Sequence, residues 1–361
     1  MKYLSEYRDA SVALKMADRI KATSQKPARF MEVCGTHTVA IFKYGIREVL
    51  PEHVALISGP GCPVCVTAAR DIDKALKLAQ IPGVIVTTFG DMIRVPGSKS
   101  SLQHEKSLGA DVRMVYSTMD ALEIARQHPE KKVVFLGVGF ETTAPTIAAA
   151  VVAAEVEGIK NFSVLSSHKL LPPAMDALLS GGELDVSGFI CPGHVTTVIG
   201  TASYELVAAN YHTPCVVVGF EPLDILQGIS MLVSQIEAGE ARVEIQYRRA
   251  VAPEGNVNAM KTLFRVFEPC DAPWRGLGVI PKSGLALREA YRSFDADALF
   301  DLEVPDCPEP PGCKCGDILR GVKTPKECKL FQTVCTPENP VGPCMVSSEG
   351  TCAAYYKYSQ F

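Results

Sequence analysis

The chain has 361 residues, more than one hydrophobic core usually serves, since cores stop growing near ~250–300 residues. Hydrophobic residues at 47% and charged residues at 21% exclude a disordered chain, and a net charge of −4 lacks the basic excess of a general nucleic-acid binder. The longest unbroken apolar run, Ile147 to Ala154, is far short of the roughly 20 residues of a spanning helix. The charged N-terminal segment has no apolar core of the secretory kind. A cytoplasmic protein is therefore expected, with neither membrane nor nucleic acid as partner.

In chain order, residues 4–23 are loosely helical. A strand, Arg29 to Val33, ends at Cys34-Gly-Thr-His-Thr38. A second apolar run, His53 to Ile57, ends at Ser58-Gly-Pro-Gly-Cys-Pro-Val-Cys65, and a helix should follow with Thr67 as its cap. Gly83 to Thr88 is a buried strand by its β-branched content. The alternation then continues with strands over 111–117, 132–138, 162–166, 187–190 and 215–218. Helices are expected over 119–127, 144–157, 172–179, 195–209 and 223–236. Such spacing predicts parallel α/β units.

Two echoes suggest a duplication: Val138-Gly-Phe-Glu141 and Val218-Gly-Phe-Glu221 each follow a strand, as do Gly61-Cys-Pro63 and Cys191-Pro-Gly-His194. The expected fold is two related parallel-sheet α/β lobes facing a cleft, plus a cysteine-rich C-terminal iron–sulfur region. Segments are placed at 1–52 (N-terminal helix and the Cys34 motif), 53–130 (first lobe), 131–240 (second lobe) and 241–361 (cluster domain). Between Val304 and Pro343 the tail is dense in Pro and Gly and lacks apolar periodicity. A segment of that kind needs a staple, and seven cysteines from Cys307 to Cys352 offer one.

Thirteen cysteines, an odd number, point to metal or redox chemistry and away from a disulfide framework. Cys313, Cys328, Cys335 and Cys352, with gaps of 14, 6 and 16 residues, supply the four thiolates of a [4Fe–4S] cluster. A structural zinc remains open, although its cysteines usually come as close pairs. Cys62-Pro-Val-Cys65 places two thiols within exchange distance between a strand and a helix, as a redox pair or as half of a metal site. Cys34 and His37 could ligate one soft metal, form a Cys–His nucleophile pair, or be structural, with Gly35 permitting an unusual backbone turn. His194 is a weaker candidate of the same type. Glu141 is either an acid in the cleft or a cap on the helix that follows it. No phosphate-binding loop motif occurs, which argues against ATP hydrolysis by that route.

Together these motifs resemble the HypD family of [NiFe]-hydrogenase maturation factors. The match rests on Cys34-Gly-Thr-His-Thr38, Gly59-Pro-Gly-Cys-Pro-Val-Cys65, Thr88-Phe-Gly-Asp-Met-Ile-Arg-Val-Pro-Gly97, Gly139-Phe-Glu-Thr-Thr143, Cys191-Pro-Gly-His194 and the four spaced tail cysteines. The resemblance implies assembly of the Fe(CN)2CO part of the hydrogenase site, with a HypC-type small chaperone and with a HypE-type protein as cyanide donor. It implies that Cys34 binds the iron, with His37 beside it, and that Cys62 and Cys65 are a redox pair. It further implies that Cys313, Cys328, Cys335 and Cys352 hold the [4Fe–4S] cluster, and that Cys315 and Cys344 can form a disulfide near it. Both a turnover catalyst and a redox-competent scaffold fit these residues. The competing class is an iron–sulfur-dependent thiol–disulfide oxidoreductase acting on a partner protein.

Overall fold

The β-branched runs of the sequence become strands buried on both faces, the signature of parallel sheets covered by helices. The computed structural model describes residues 5–182, 185–305 and 309–359; Cys307 lies outside them. Strands β1 (Ala28–Glu32), β2 (Val54–Ser58), β3 (Val84–Thr88), β4 (Asp111–Met114), β5 (Lys132–Gly137) and β6 (Phe162–Ser166) come first. β7 (Gly188–Pro192), β8 (Cys215–Val218), β9 (Val243–Ile245), β10 (Phe267–Trp274) and β11 (Gly278–Leu287) follow. They form a five-stranded sheet, β2-β1-β7-β8-β9, a four-stranded sheet, β4-β3-β5-β6, and a hairpin, β10-β11. Every pairing in the two larger sheets is parallel.

Sheet membership does not follow chain order. The chain lays down two strands of the larger sheet, builds the smaller one, and returns at β7. Within each sheet the order is nevertheless the same, second-first-third-fourth, with β9 added to the larger. The motif echoes fall on non-equivalent strands of this shared order: Val138-Gly-Phe-Glu141 follows the third strand of one sheet, Val218-Gly-Phe-Glu221 the fourth of the other.

In such sheets ligands bind beyond the carboxyl ends of the strands, where the strand order reverses. That point lies between β1 and β7 in the larger sheet and between β3 and β5 in the smaller. Cys34-Gly-Thr-His follows β1, and Cys191-Pro-Gly-His194 spans the end of β7. Thr88-Phe-Gly-Asp follows β3, and Gly139-Phe-Glu follows β5. All four motifs therefore occupy switch points.

The hairpin joins the two sheets. Phe267, Leu285 and Leu287 pack into the core of the four-stranded sheet, while Ala272, Trp274 and Ile280 pack into that of the five-stranded one. Lys169 after β6 bridges to Gly284, and Thr67 bridges to Trp274. The tail finds its core in the larger sheet: Ile318, Leu319, Phe331 and Met345 bury with Met31, Val33 and Phe189. No helix among the described residues is long and apolar enough to cross a membrane.

Candidate functional site

Cys34 is not in a loop. It is the N-cap of a helix, Gly35–Lys43, in extended conformation, and its side chain makes no capping bond. The freedom expected of Gly35 is not used for a turn. A Cβ on Gly35 would stand 2.5 Å from the Glu349 carbonyl oxygen, so the glycine is there to let the tail approach. Gly61 does the same from the other side, since its Cβ would meet the Cys34 backbone nitrogen at 2.1 Å. Gly35 N–H donates to the Gly61 carbonyl at 3.1 Å. The Cys34 motif is thus clamped between the Cys62 loop and the tail, and Cys34 is only 3% exposed. Burial pushes its thiol up to about 12, and Glu349 pushes the same way.

His37 is fully buried one helical turn on. Its Nε2–H donates to the Gly219 carbonyl at 2.9 Å, leaving Nδ1 as a buried acceptor without a partner among the described residues. The ring stacks on Phe220 at 4.8 Å, and His194 meets the same Phe220 from 5.3 Å, also with a partnerless Nδ1. Burial lowers both imidazoles to about 4, so both are neutral at physiological pH.

Cys62 caps the short Pro63–Val66 helix, its sulfur accepting from Cys65 N–H at 3.3 Å. The helix expected with Thr67 as cap begins one residue later: Ala68 is the N-cap of Ala69–Ala79, because the Thr67 hydroxyl donates back to the Pro63 carbonyl. Cys65 is completely buried, and burial pushes its thiol up. It lies against Cys344, whose thiol also contacts Cys315 and Cys352. The Cys315 and Cys344 sulfurs stand 2.7 Å apart. Cys313 adjoins Cys315, and a Cβ on Gly342 would stand 3.0 Å from the Cys313 sulfur. Cys335 is flanked by Cys352 and Cys313 and accepts from Val341 N–H at 3.4 Å. Cys328 completes the same core. All of these cysteines are free thiols. The fold therefore links Cys62, Cys65, Cys344, Cys315 and Cys313 in one run of thiol contacts. Among the described residues, no three His, Cys, Asp or Glu side chains converge as a metal site.

Two residues of the site, Glu349 and Ser347, carried no signal on their own. Glu349 accepts from the Thr36 hydroxyl at 2.6 Å, Ser347 donates to Asp91 at 3.2 Å, and Arg94 donates to the Pro337 carbonyl. The Thr88–Gly97 motif thus grips the tail. Thr36, Val39, Asp91, Arg94 and Glu349 wall a cavity of about 810 Å3 beside the Cys34 helix. Glu141 stands apart. Its Oε1 accepts from Leu171 N–H at 2.8 Å, so it caps the Leu171–Ser180 helix instead of the Ala144–Glu157 helix that follows it in sequence. It walls a different cavity, which no motif cysteine lines.

The fold and these contacts define a parallel α/β protein with a buried thiol centre, built where strand-end loops meet a cysteine-rich tail. The profile of the HypD family, described as "Hydrogenase formation hypA family", matches residues 11–359. The chain is 49% identical over 371 residues to "Hydrogenase maturation factor HypD2" of Bradyrhizobium diazoefficiens, covering 100% of this chain and 98% of that one. It is equally similar, with the same coverage, to "Hydrogenase maturation factor HypD" of Cupriavidus necator. Against the protein of that name from Escherichia coli it is 45% identical over 370 residues, covering 100% and 99%. The chain belongs to the HypD family of hydrogenase maturation factors.

Proposed function

We propose that this chain is the scaffold and redox centre on which the Fe(CN)2CO unit of a [NiFe]-hydrogenase active site is assembled. The iron is cargo, held by Cys34 together with a cysteine of a HypC-type chaperone, and its cyanide comes from a HypE-type donor. The observation that carries this reading is the run of thiol contacts from Cys62 to Cys313, which starts one residue from the Gly61 that lies against Cys34.

A low-spin iron with cyanide and carbonyl ligands suits a soft thiolate. Binding must displace the proton that burial keeps on Cys34. Entry of the chaperone's cysteine is favoured from the cavity walled by Thr36 and Glu349, and it requires the Glu349 segment to move off Gly35.

The contacts also suit thiol–disulfide exchange. Given a Cys315–Cys344 disulfide, the Cys65 sulfur attacks Cys344 and Cys315 leaves as a thiolate. Cys62 then attacks Cys65, and Cys344 is released. The disulfide has moved to Cys62–Cys65, two thiols are restored in the tail, and two electrons have passed the other way. The donor set of Cys313, Cys328, Cys335 and Cys352 suits a [4Fe–4S] cluster by its chemistry: four soft thiols packed in or against one core, with a backbone N–H on Cys335. Bound there, the cluster would supply single electrons to this thiol system.

The test is an infrared spectrum of the full chain purified anaerobically with its small chaperone. Cyanide and carbonyl bands are expected. Cys34→Ala should remove them while the brown colour of the tail cluster stays; loss of both together would show that the two sites are not independent. Absence of the bands from the wild-type complex would favour a plain thiol–disulfide oxidoreductase. Replacing Cys62 and Cys65 with Ser should stop maturation with about four irons still bound in the tail.

A further inference from the structure

The cavity walled by Glu141 lies outside the thiol centre and answers to none of its chemistry. It has a volume of about 420 Å3, within the range of small-molecule sites. Its wall is mostly apolar: Pro172, Leu206, Val207, Leu263 and Phe264 come from three helices, Leu171–Ser180, Ala202–Tyr211 and Val257–Val266. Leu206 stands at its rim, 66% exposed. Into this apolar wall the chain sets one buried carboxylate. Glu141 is 3% exposed, and only one of its oxygens is used, by Leu171 N–H. Oε2 is buried with no hydrogen-bond partner among the described residues. A helix cap needs one oxygen. A second one, buried and unsatisfied, keeps its full desolvation penalty and calls for a donor.

We propose that this cavity binds a small apolar molecule with a cationic amine head, the ammonium pairing with Glu141 Oε2 and the apolar body lying between the three helices. The head is cationic because the free acceptor is a carboxylate and no protein cation reaches it. The other titratable groups facing the cavity are Asp176, which already accepts from the Tyr211 hydroxyl at 2.7 Å, and Lys282. The Tyr204 phenol lies buried close by, raised first by burial and further by Cys191 and Glu141. This site is independent of the iron-assembly reading.

Burial raises Glu141 to about 7, the Leu171 N–H opposing the rise. An amine that needs the ionised form should therefore bind about tenfold tighter at pH 8 than at pH 6. The experiment titrates the full chain by calorimetry with three probes of one shape: 2-phenylethylamine, 2-phenylethanol and 3-phenylpropionate. The amine should bind saturably, the alcohol about tenfold more weakly, and the carboxylate not at all. Glu141→Gln keeps an oxygen for Leu171 N–H, so the fold should hold. It should abolish both the preference for the amine and its pH dependence. Ser203→Phe, which fills the cavity, should remove amine and alcohol binding together, with the thermal midpoint reporting that the chain is folded. Equal binding of amine and alcohol to the wild type, amine binding that survives Ser203→Phe in a folded chain, or no saturable binding of any probe would each overturn the proposal.

Discussion

The two parallel sheets are built to one order and furnished with opposite chemistry. At the switch point of the five-stranded sheet stand Cys34, His37 and His194, backed by the thiols of the tail. At the corresponding point of the four-stranded sheet stand Thr88 and Glu141, with no cysteine at either strand end. Topology supplies a place at each strand end, and the residues that follow each strand decide what that place can do. The tail sharpens the contrast. Its cysteines pack into the core of the larger sheet, while one face of the smaller sheet is covered by the hairpin and the Val257–Val266 helix, and the other takes Val346 of the tail.

The largest effect expected outside the thiols comes from an ion pair buried beside the four-stranded sheet. Lys169, after β6, is 2% exposed and pairs with Asp71 of the Ala69–Ala79 helix at 3.4 Å. Asp71→Asn leaves a buried ammonium without its counter-charge, which should cost about 3 kcal/mol or more. Denaturant unfolding measures it, and a midpoint unchanged from wild type would mean that the pair does not hold the Ala69–Ala79 helix to its sheet.

Next comes the clamp around Cys34. Gly61→Ala drives a methyl into the Cys34 backbone, a clash that no rotamer relieves, and should cost about 2 kcal/mol with loss of the iron cargo. Gly181→Ala, at the end of the Leu171–Ser180 helix, is the control: its nearest neighbour would be at 3.3 Å, and its change should stay within about 0.5 kcal/mol. If both variants load iron alike, the close approach at Gly61 is not what places Cys34.

Much of this was legible before any coordinates. The helix over Ala144–Glu157 and the strand over Phe162–Ser166 have the expected bounds, because a long apolar alanine-rich run and a short apolar segment set between polar turns keep to their own lengths. The helix expected over 195–209 is two helices, broken at Gly200, whose φ of +71° no helix accepts. The hairpin was hidden because Phe267-Glu-Pro-Cys-Asp-Ala-Pro-Trp274 has two prolines and no alternation, marks against a strand that an edge position tolerates. Which strands share a sheet was also not legible, since β1 and β7 meet only after the chain has built a second sheet between them. In the site, the cysteines announced themselves by spacing. Glu349 did not, because a lone carboxylate gains meaning only when the tail brings it to the Thr36 hydroxyl.

The smallest expected effect contrasts the two ends of the four-stranded sheet. Asp111, at the start of β4, is held by Arg113 at 2.7 Å and by Lys131 at 3.0 Å. The Arg113 hydrogen bond, opposed by partial burial, brings its carboxyl down from 3.8 to about 2. A carboxylate depressed in the folded state adds stability above its unfolded value, and that stability is lost as pH falls toward 2. Glu141, at the other end, is raised from 4.5 to about 7, so its contribution is present below 4.5 and lost as pH rises through 7. The two ends thus tilt the stability curve in opposite directions. Asp111→Asn should flatten it on the acid side, by about 1 kcal/mol after solvent screening of a partly exposed pair. Glu141→Gln should flatten it between pH 5 and pH 7, a window bounded by the two values of that group. Unfolding midpoints of both variants across pH decide the matter. If either variant changed the slope in the other's window, the charges at the two ends would be coupled through the sheet, and the division between its base and its strand-end chemistry would not hold.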